Sequence, residues 1–277
     1  MRFDLIAFDL DGTILRDDGS ISEDTLEILR TAASKGCVMV PTTGRTLSEI
    51  PPVLIDASVF RYLILANGAS VMDMEEEIEI LKGLIPTETA VEMYRKLLGL
   101  EVPFVAYSEG VAFCDEKYMS NLVSFYAPKG KYYAQIIENM RFVASMPDFF
   151  AKTGRTVEKI FIHQAPEEKR QSIIEYAEKT PGLAVSESSP MNLEINATDI
   201  SKGAALEALG TLLGITRARI MAVGDGVNDL TMLAYAGFSV AVANAVPLAR
   251  DIASYITASN DNDGAASAIR KFGLIEG

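Results

Sequence analysis

Asp9 and Asp11 stand two residues apart, directly after the apolar run Leu5-Ile6-Ala7-Phe8. A strand of side-chain period two points both the same way until Gly12 turns the chain. The pair of acids then sits at the exposed carboxyl end of a buried strand, where open α/β sheets hold their ligands. One carboxylate can attack an electrophile while the other holds or transfers a proton. Three further segments add to this chemistry. Pro41-Thr42-Thr43-Gly44-Arg45 offers a hydroxyl and a glycine that exposes backbone N–H groups, a cradle for an oxyanion. Lys202, preceded by Ser201, opens a helix, where a cation is disfavoured unless an anion binds beside it. Gly224-Asp225-Gly226-Val227-Asn228-Asp229 packs two carboxylates and an amide into a tight loop. Such a loop suits Mg²⁺, which takes few protein ligands and keeps places for water and phosphate oxygen.

Together the segments supply a nucleophile, an acid/base, a hydroxyl, a cation and a metal site. A carboxylate attacking phosphorus needs its own charge and the phosphate's charge offset, which Mg²⁺ and Lys202 can do. Each segment alone also has a structural use. Asp11-Gly12 and Asp225-Gly226 fit turns, Lys202 fits a solvated helix residue, and Arg45 fits either a phosphate contact or a salt bridge. Lys129 and Lys131, amid Tyr126, Tyr132 and Tyr133, fit a pocket lining or a surface with snorkelling lysines. His163, the only histidine, ends a strand and is expected at a surface or edge.

The elements that must position these residues begin with a β-α-β unit. Phe3 to Phe8 is a continuous apolar strand. Ser22 caps a helix with Glu23 and Asp24 in its first turn and an apolar face of Leu26, Leu29, Ala32 and Ala33, and Gly36 ends it. Cys37 to Val40 returns as a parallel strand. Tyr62 to Ala66 is a third strand ending at the turn Asn67-Gly68, and Ala69–Met72 with Ile78–Leu81 forms a hairpin. From about Pro86 to Pro190 the strands become amphipathic and alternate with helices such as Thr87–Leu98 and Glu167–Glu178. This stretch reads as an inserted α+β domain. After Asn192 the core pattern resumes: Leu193–Ile195, a helix from Lys202, strands Arg219–Val223 and Val240–Ala243, and helices Asn228–Ala236 and Asp263–Phe272.

A chain of 277 residues, 49% apolar, is long enough for one large or two medium domains with a sizeable core. A net charge of −13 argues against nucleic-acid and anionic-membrane partners. Cys37 and Cys114 lack metal-ligand spacing, and two cysteines in such a chain point to a reducing compartment. No signal pattern or membrane-length apolar run is present, so a cytoplasmic location is expected.

In this order, Asp9-Leu10-Asp11-Gly12-Thr13, Thr43-Gly44-Arg45, Lys202-Gly203 and Gly224-Asp225-Gly226-Val227-Asn228-Asp229 resemble the haloacid dehalogenase superfamily of phosphatases. Asn244-Ala245 followed by Asp263-Gly264 is similar to its Cof-type branch, sugar-phosphatase-like members with a large inserted cap. The motifs cover both ends of the chain, and the insertion matches by position and texture. The resemblance implies an α/β fold, with a Rossmann-like parallel-sheet core of residues 1–83 and 191–277 and an inserted α+β cap of residues 84–190 that sets specificity. It implies Mg²⁺-dependent hydrolysis of small-molecule phosphomonoesters through an aspartyl-phosphate. Asp9 would be the nucleophile and a metal ligand. Asp11 would be the general acid and base, ligating the metal through its backbone carbonyl. Leu10, Thr43, Gly44 and Asn228 would hold the phosphoryl group, and Lys202 would neutralise it. Asp225 would bind the metal, with Asp229 supporting it. Pro41-Thr42 departs from the simpler apolar residues usual in relatives. The expected partner is a small-molecule phosphate ester, with no obligate protein partner. Two other uses of the same residues stay open, a phosphosugar mutase and a non-hydrolytic phospho-aspartate switch or metabolite sensor. Asp11 counts against the switch, because an acid/base beside a phospho-aspartate promotes its hydrolysis. Haloacid dehalogenation is disfavoured because it needs neither Asp11 nor the metal acids.

Overall fold

The computed structural model describes residues 3–56, 58–126, 137–189 and 192–274. The chain divides into two compact units, one built from the segment up to Arg45, Ile50–Lys82 and Ser201 onward, the other from Thr46–Glu49 and Gly83–Ile200. With strands numbered in chain order, the first unit holds β1 (Leu5–Phe8), β2 (Val38–Pro41), β3 (Tyr62–Leu65), β4 (Ser70–Asp73) and β5 (Ile78–Lys82). It also holds β12 (Ile220–Gly224), β13 (Phe238–Ala241) and β14 (Tyr255–Ile256). Among the described residues a five-stranded sheet runs β14-β13-β12-β1-β2, every neighbouring pair parallel. β1 is flanked on both sides, and all four of its residues are buried, as are those of β12. That two-sided burial is why these strands are uniformly apolar rather than alternating.

The crossover from β1 to β2 is the helix Glu23–Ser34. The Ser22 hydroxyl accepts the N–H of Thr25 (3.0 Å), and Gly36, at φ +83°, turns the chain back into β2. Val38 and Thr42 donate their N–H groups to β1, at Asp4 O and Phe8 O (both 2.8 Å). Alternate residues donate to opposite sides, so the donor Pro41 lacks belongs to the side away from β1, and the departure costs that ladder nothing. The end of β2 continues into β3 through the Thr42–Ile64 bridge and the bond from Thr43 N to Ile64 O (2.9 Å). The expected hairpin is β4–β5, extended by β3 into an antiparallel three-stranded sheet. The helix expected over Asn228–Ala236 begins as a 3₁₀ turn, Val227–Asp229, before the α-helix Leu230–Tyr235. The closing helix is α-helical over Gly264–Ala268 and widens into a π turn over Ile269–Gly273.

In the second unit, β6 (Phe104–Ser108), β7 (Val111–Asp115), β8 (Arg141–Val143), β9 (Lys159–Ile162), β10 (Leu183–Ser189) and β11 (Asn192–Ala197) form one sheet in the order β10-β11-β9-β6-β7-β8. Tyr94 of the helix Thr87–Gly99 stacks on Phe104 and meets Phe150 edge-on, both at 5.2 Å between ring centres, in the cluster that covers one sheet face. Leu193–Ile195, expected in the resumed core, is instead part of an inner strand of this sheet, between β9 and β10. Its Leu-Glu-Ile alternation is the half-buried pattern of an amphipathic strand, which matches its neighbours here and not the core. The short segment Thr46–Glu49 also joins this unit, where Glu49 accepts the Tyr107 hydroxyl (2.8 Å) and the Thr46 N–H (2.9 Å). Lys129, Lys131, Tyr132 and Tyr133 lie outside the described residues.

Cys37 and Cys114 are free and buried, and burial pushes both thiols up to about 12 from 9.0. The folded values lie above the unfolded ones, so the thiols' contribution to stability is intact below pH 9.0 and is lost as pH rises toward about 12. At about pH 8.5 iodoacetamide is therefore expected to leave the native protein unmodified and to label both cysteines in guanidinium, as read by intact mass. Equal labelling of native and unfolded protein would contradict the burial.

Candidate active site

Because β1, β2 and β12 are parallel, their carboxyl ends share one edge of the sheet. The register sets Phe8 beside Pro41 and Val223, so Asp9, Thr42 and Gly224 follow at one level. Asp9 N donates to Val223 O (3.0 Å), which holds the aspartate against β12. Asp9 is buried, and its Oδ1 accepts the Lys202 ammonium at 2.6 Å. The same ammonium donates to Asp229 Oδ1, also at 2.6 Å. Lys202 is wholly buried although it is the first residue of the helix Lys202–Leu212, which Ser201 caps by accepting the Ala204 N–H (3.1 Å). The anion expected at this helix start is thus supplied by two of the protein's own carboxylates.

The loop after β12 is folded around Asp229. Its Oδ2 accepts the N–H groups of Asp225 (2.8 Å) and Gly226 (2.9 Å). Asp225 is fixed from the other side by the Thr13 hydroxyl, which donates to its Oδ1 at 2.7 Å. Carboxylate oxygens of Asp9, Asp225 and Asp229 all lie within 4.8 Å of one another. Burial and the neighbouring Asp229 raise Asp9 well above the usual carboxylate range, against the pull of Lys202. Burial and Asp229 likewise push Asp225 up to about 7. Burial disfavours the Lys202 ammonium, but Asp229 and Asp9 outweigh it and hold the group above its ordinary value. Counted as ionised, three carboxylates exceed the one ammonium by two charges, and burial together with this crowding is what raises Asp9 and Asp225.

Asp11 takes a different course. Gly12, at φ +73°, turns the chain, and the Asp11 side chain emerges 56% exposed. Its carboxylate is gripped by the Arg45 guanidinium, Nε to Oδ2 at 2.8 Å and Nη2 to Oδ1 at 2.5 Å. The salt-bridge use of Arg45 is therefore the one the structure contains, and Asp11 contributes no carboxylate to the three-acid cluster. Thr43 is buried, with Oγ1 accepting the Arg45 N–H (3.1 Å), so its own proton is left to donate elsewhere. Gly44 lies between them in the same turn. The Leu10 side chain is in the core, and its carbonyl accepts from Thr13, Ile14 and Leu15 (3.3, 3.0 and 2.9 Å), which rounds the loop behind Asp9. Asn228 donates to the side chain of Asn67 (3.2 Å), tying the β12 loop to the turn after β3.

Sequence reasoning missed four contributors. Thr13 and Thr231 hold Asp225 and the Gly203 N–H (3.0 Å). Asn67, read as a turn residue, carries a side-chain partner. Asn244, noted only as part of a signature, donates to Gly12 O at 2.7 Å. The Asn-Gly pair was the available signal for Asn67, whose φ of 61° is left-handed. His163, expected at a surface or edge, is buried in the second unit after the inner strand β9, with its ring edge-on to Phe161 at 4.6 Å.

Residues 6–269 match the model of the haloacid dehalogenase-like hydrolases. The chain belongs to that family. It is an enzyme, of the Cof type that Asn244-Ala245 and Asp263-Gly264 led one to expect. It is 30% identical over 270 residues to 5-amino-6-(5-phospho-D-ribitylamino)uracil phosphatase YcsE of Bacillus subtilis, covering 98% of this chain and 96% of that one. Among solved structures it is similar to a haloacid dehalogenase-like hydrolase from Bacteroides thetaiotaomicron, with a TM-score of 0.82, 26% identity and coverage of 97% and 99% of the two chains. A second, from B. subtilis, gives a TM-score of 0.84 at 25% identity, covering 98% and 100%. Haloacid dehalogenase-type phosphatases generally use a divalent metal.

A methyl group on Gly12 would stand 2.5 Å from Asp225 Oδ2, whereas one on Gly19, at a similar φ of +79°, meets nothing within 4 Å. Gly19→Ala reads the backbone cost alone, roughly 1 kcal/mol. Gly12→Ala is expected to lose roughly 1–3 kcal/mol more in urea unfolding, because the Asp225 carboxylate must move. Equal losses at the two positions would contradict the close approach.

Proposed function

We propose that this chain is a Mg²⁺-dependent phosphatase that hydrolyses small-molecule phosphomonoesters, sugar phosphates or similar metabolites, through an aspartyl-phosphate on Asp9. The observation that carries the reading is the buried Lys202 ammonium shared by Asp9 and Asp229 at 2.6 Å inside the three-carboxylate cluster. The donor set fits the metal. Its oxygens are hard ligands, few in number, and with all three carboxylates ionised their excess over the ammonium equals one divalent cation. Asp9, Asp225 and Asp229, with the Asp11 backbone carbonyl, would hold it. When bound, Mg²⁺ offsets the charge of the cluster and of the phosphoryl group.

In the first half-reaction an Asp9 oxygen bonds to phosphorus as the ester P–O bond breaks, and Asp11 gives a proton to the departing oxygen. In the second, Asp11 takes a proton from water, the water oxygen bonds to phosphorus, and the Asp9–phosphorus bond breaks to release inorganic phosphate. Lys202 holds Asp9 in place and neutralises phosphoryl charge throughout. The Thr43 hydroxyl, the Gly44 and Leu10 backbone and the Asn228 amide bind the phosphoryl oxygens. The second unit serves as the cap that selects the ester and excludes water. The relative YcsE is named for a phosphorylated ribityl compound, which supports a small polyhydroxylated ester as substrate. The two free, buried cysteines fit the reducing cytoplasm.

Phosphate release from a panel of phosphomonoesters is expected with Mg²⁺, and to vanish with chelator and in Asp9→Asn. Full turnover by Asp9→Asn would overturn the nucleophile. Isomerised phosphosugar without free phosphate would favour the mutase, and an aspartyl-phosphate lasting minutes would favour the switch.

A further inference from the structure

Arg45 pairs with Asp11, a carboxylate outside the three-acid cluster. Its backbone is fixed twice, since its N–H donates to Thr43 Oγ1 (3.1 Å) and its carbonyl accepts the Ala66 N–H (2.8 Å). Thr43 is fixed in turn, with its N–H on Ile64 O (2.9 Å) and its carbonyl on Asn67 N (3.0 Å). The arginine therefore extends from a rigid platform, and its side chain is only 10% exposed. Asp11 has no such support of its own. It follows β1 by three residues, stands just before a left-handed glycine, and is more than half exposed. A carboxylate so placed visits several rotamers unless something holds it. The two-pronged contact from Nε and Nη2 fixes both of its oxygens and thereby its torsions.

From this geometry we infer that Arg45 is a positioning residue for the acid/base Asp11, locking its carboxyl to the same Thr43-Gly44-Arg45 loop that receives the phosphoryl group. This rests on the phosphatase reading above and adds a role for Arg45 that the reading does not require. One loop then registers both the phosphoryl oxygens, through Thr43, and the proton-transfer group, through Arg45. The interaction acts on proton transfer and not on the phosphoryl charge, so its loss has a distinctive signature in the first half-reaction, where the proton goes to the leaving group. Esters with poor leaving groups need the proton, whereas p-nitrophenyl phosphate releases a stable phenolate without one.

The test compares the single-turnover rate of alcohol or phenol release, which reports the first half-reaction alone, for the unsubstituted enzyme, Arg45→Ala and Arg45→Lys on the fastest alkyl phosphate of the panel and on p-nitrophenyl phosphate. Circular dichroism and melting verify that each variant folds. Arg45→Ala is expected to lower that release rate roughly 10- to 100-fold on the alkyl ester and less than about 3-fold on the aryl ester, with the half-saturating substrate concentration little changed. Arg45→Lys, which keeps the charge but not the fork, should recover only part of the loss. In an Asp11→Asn background, Arg45→Ala should cost nothing further on either ester. Equal falls of the release rate on both esters, a rise confined to the half-saturating substrate concentration, or additivity with Asp11→Asn would overturn the inference by marking Arg45 as a phosphoryl or substrate contact. Failure of the parent reading shows itself separately, as no phosphate release from any ester by the unsubstituted enzyme.

Discussion

The bridge from Lys202 to Asp9 and Asp229 is the interaction on which the rest of the first unit's architecture turns. It joins side chains 193 and 27 residues apart and is buried completely at the lysine. An ammonium taken out of water is costly by several kcal/mol unless anions replace its hydration, and two do so here. That solution exists only if β1 and the loop after β12 end at the same level and the helix from Lys202 starts against both. The parallel register of β1 with β12 and the cap at Ser201 meet the requirement. Such a cluster is held at the expense of stability, because three acids share one ammonium in a buried place.

The remainder of the site holds those charges still. Thr13 and the Asp229 nest fix the loop carrying Asp225, and the left-handed turn at Gly12 lets the first loop pass close beneath it. C-terminal segments clamp the loop that carries Asp9 and Asp11 from outside. Asn244 donates to Gly12 O, Asn260 donates to Leu15 O (3.1 Å), and Arg16 pairs with Asp263 (3.0 Å). Asn260 N in turn donates to Asn244 Oδ1 (3.0 Å), so the clamp is one connected network. This is what the signature residues Asn244 and Asp263 do physically. Dipoles fixed before a reaction need no reorganisation during it, which is where most of the rate of phosphoryl transfer arises.

Much of this was legible because local rules and tertiary demand agree along the parallel sheet. Uniformly apolar runs ending in Asp, Thr or Gly-Asp-Gly announce buried parallel strands and the chemistry at their tips. Ser22 and Ser201 announce helix starts by capping. Pairings set by long-range packing were not legible. The sequence placed an anion beside Lys202 but could not show that Asp9 and Asp229 supply it. It left Arg45 between two uses, because a fork to Asp11 depends on how Gly12 turns the chain. The membership of Asn192–Ala197 was misread because chain position suggested the core while its alternation belonged to the second unit's sheet. His163 was misread because strand-end position says little about which face a neighbouring aromatic covers.

The measurement that bears most directly on this account is the unfolding free energy of Lys202→Met against the unsubstituted protein, in chelator, followed by Lys202→Met/Asp229→Asn. If the ammonium is the counterion of two buried carboxylates, the single substitution costs about 3–5 kcal/mol and the second returns a substantial part of it. Unchanged stability in Lys202→Met, or a further loss on adding Asp229→Asn, would contradict the bridge as the organising interaction of the site.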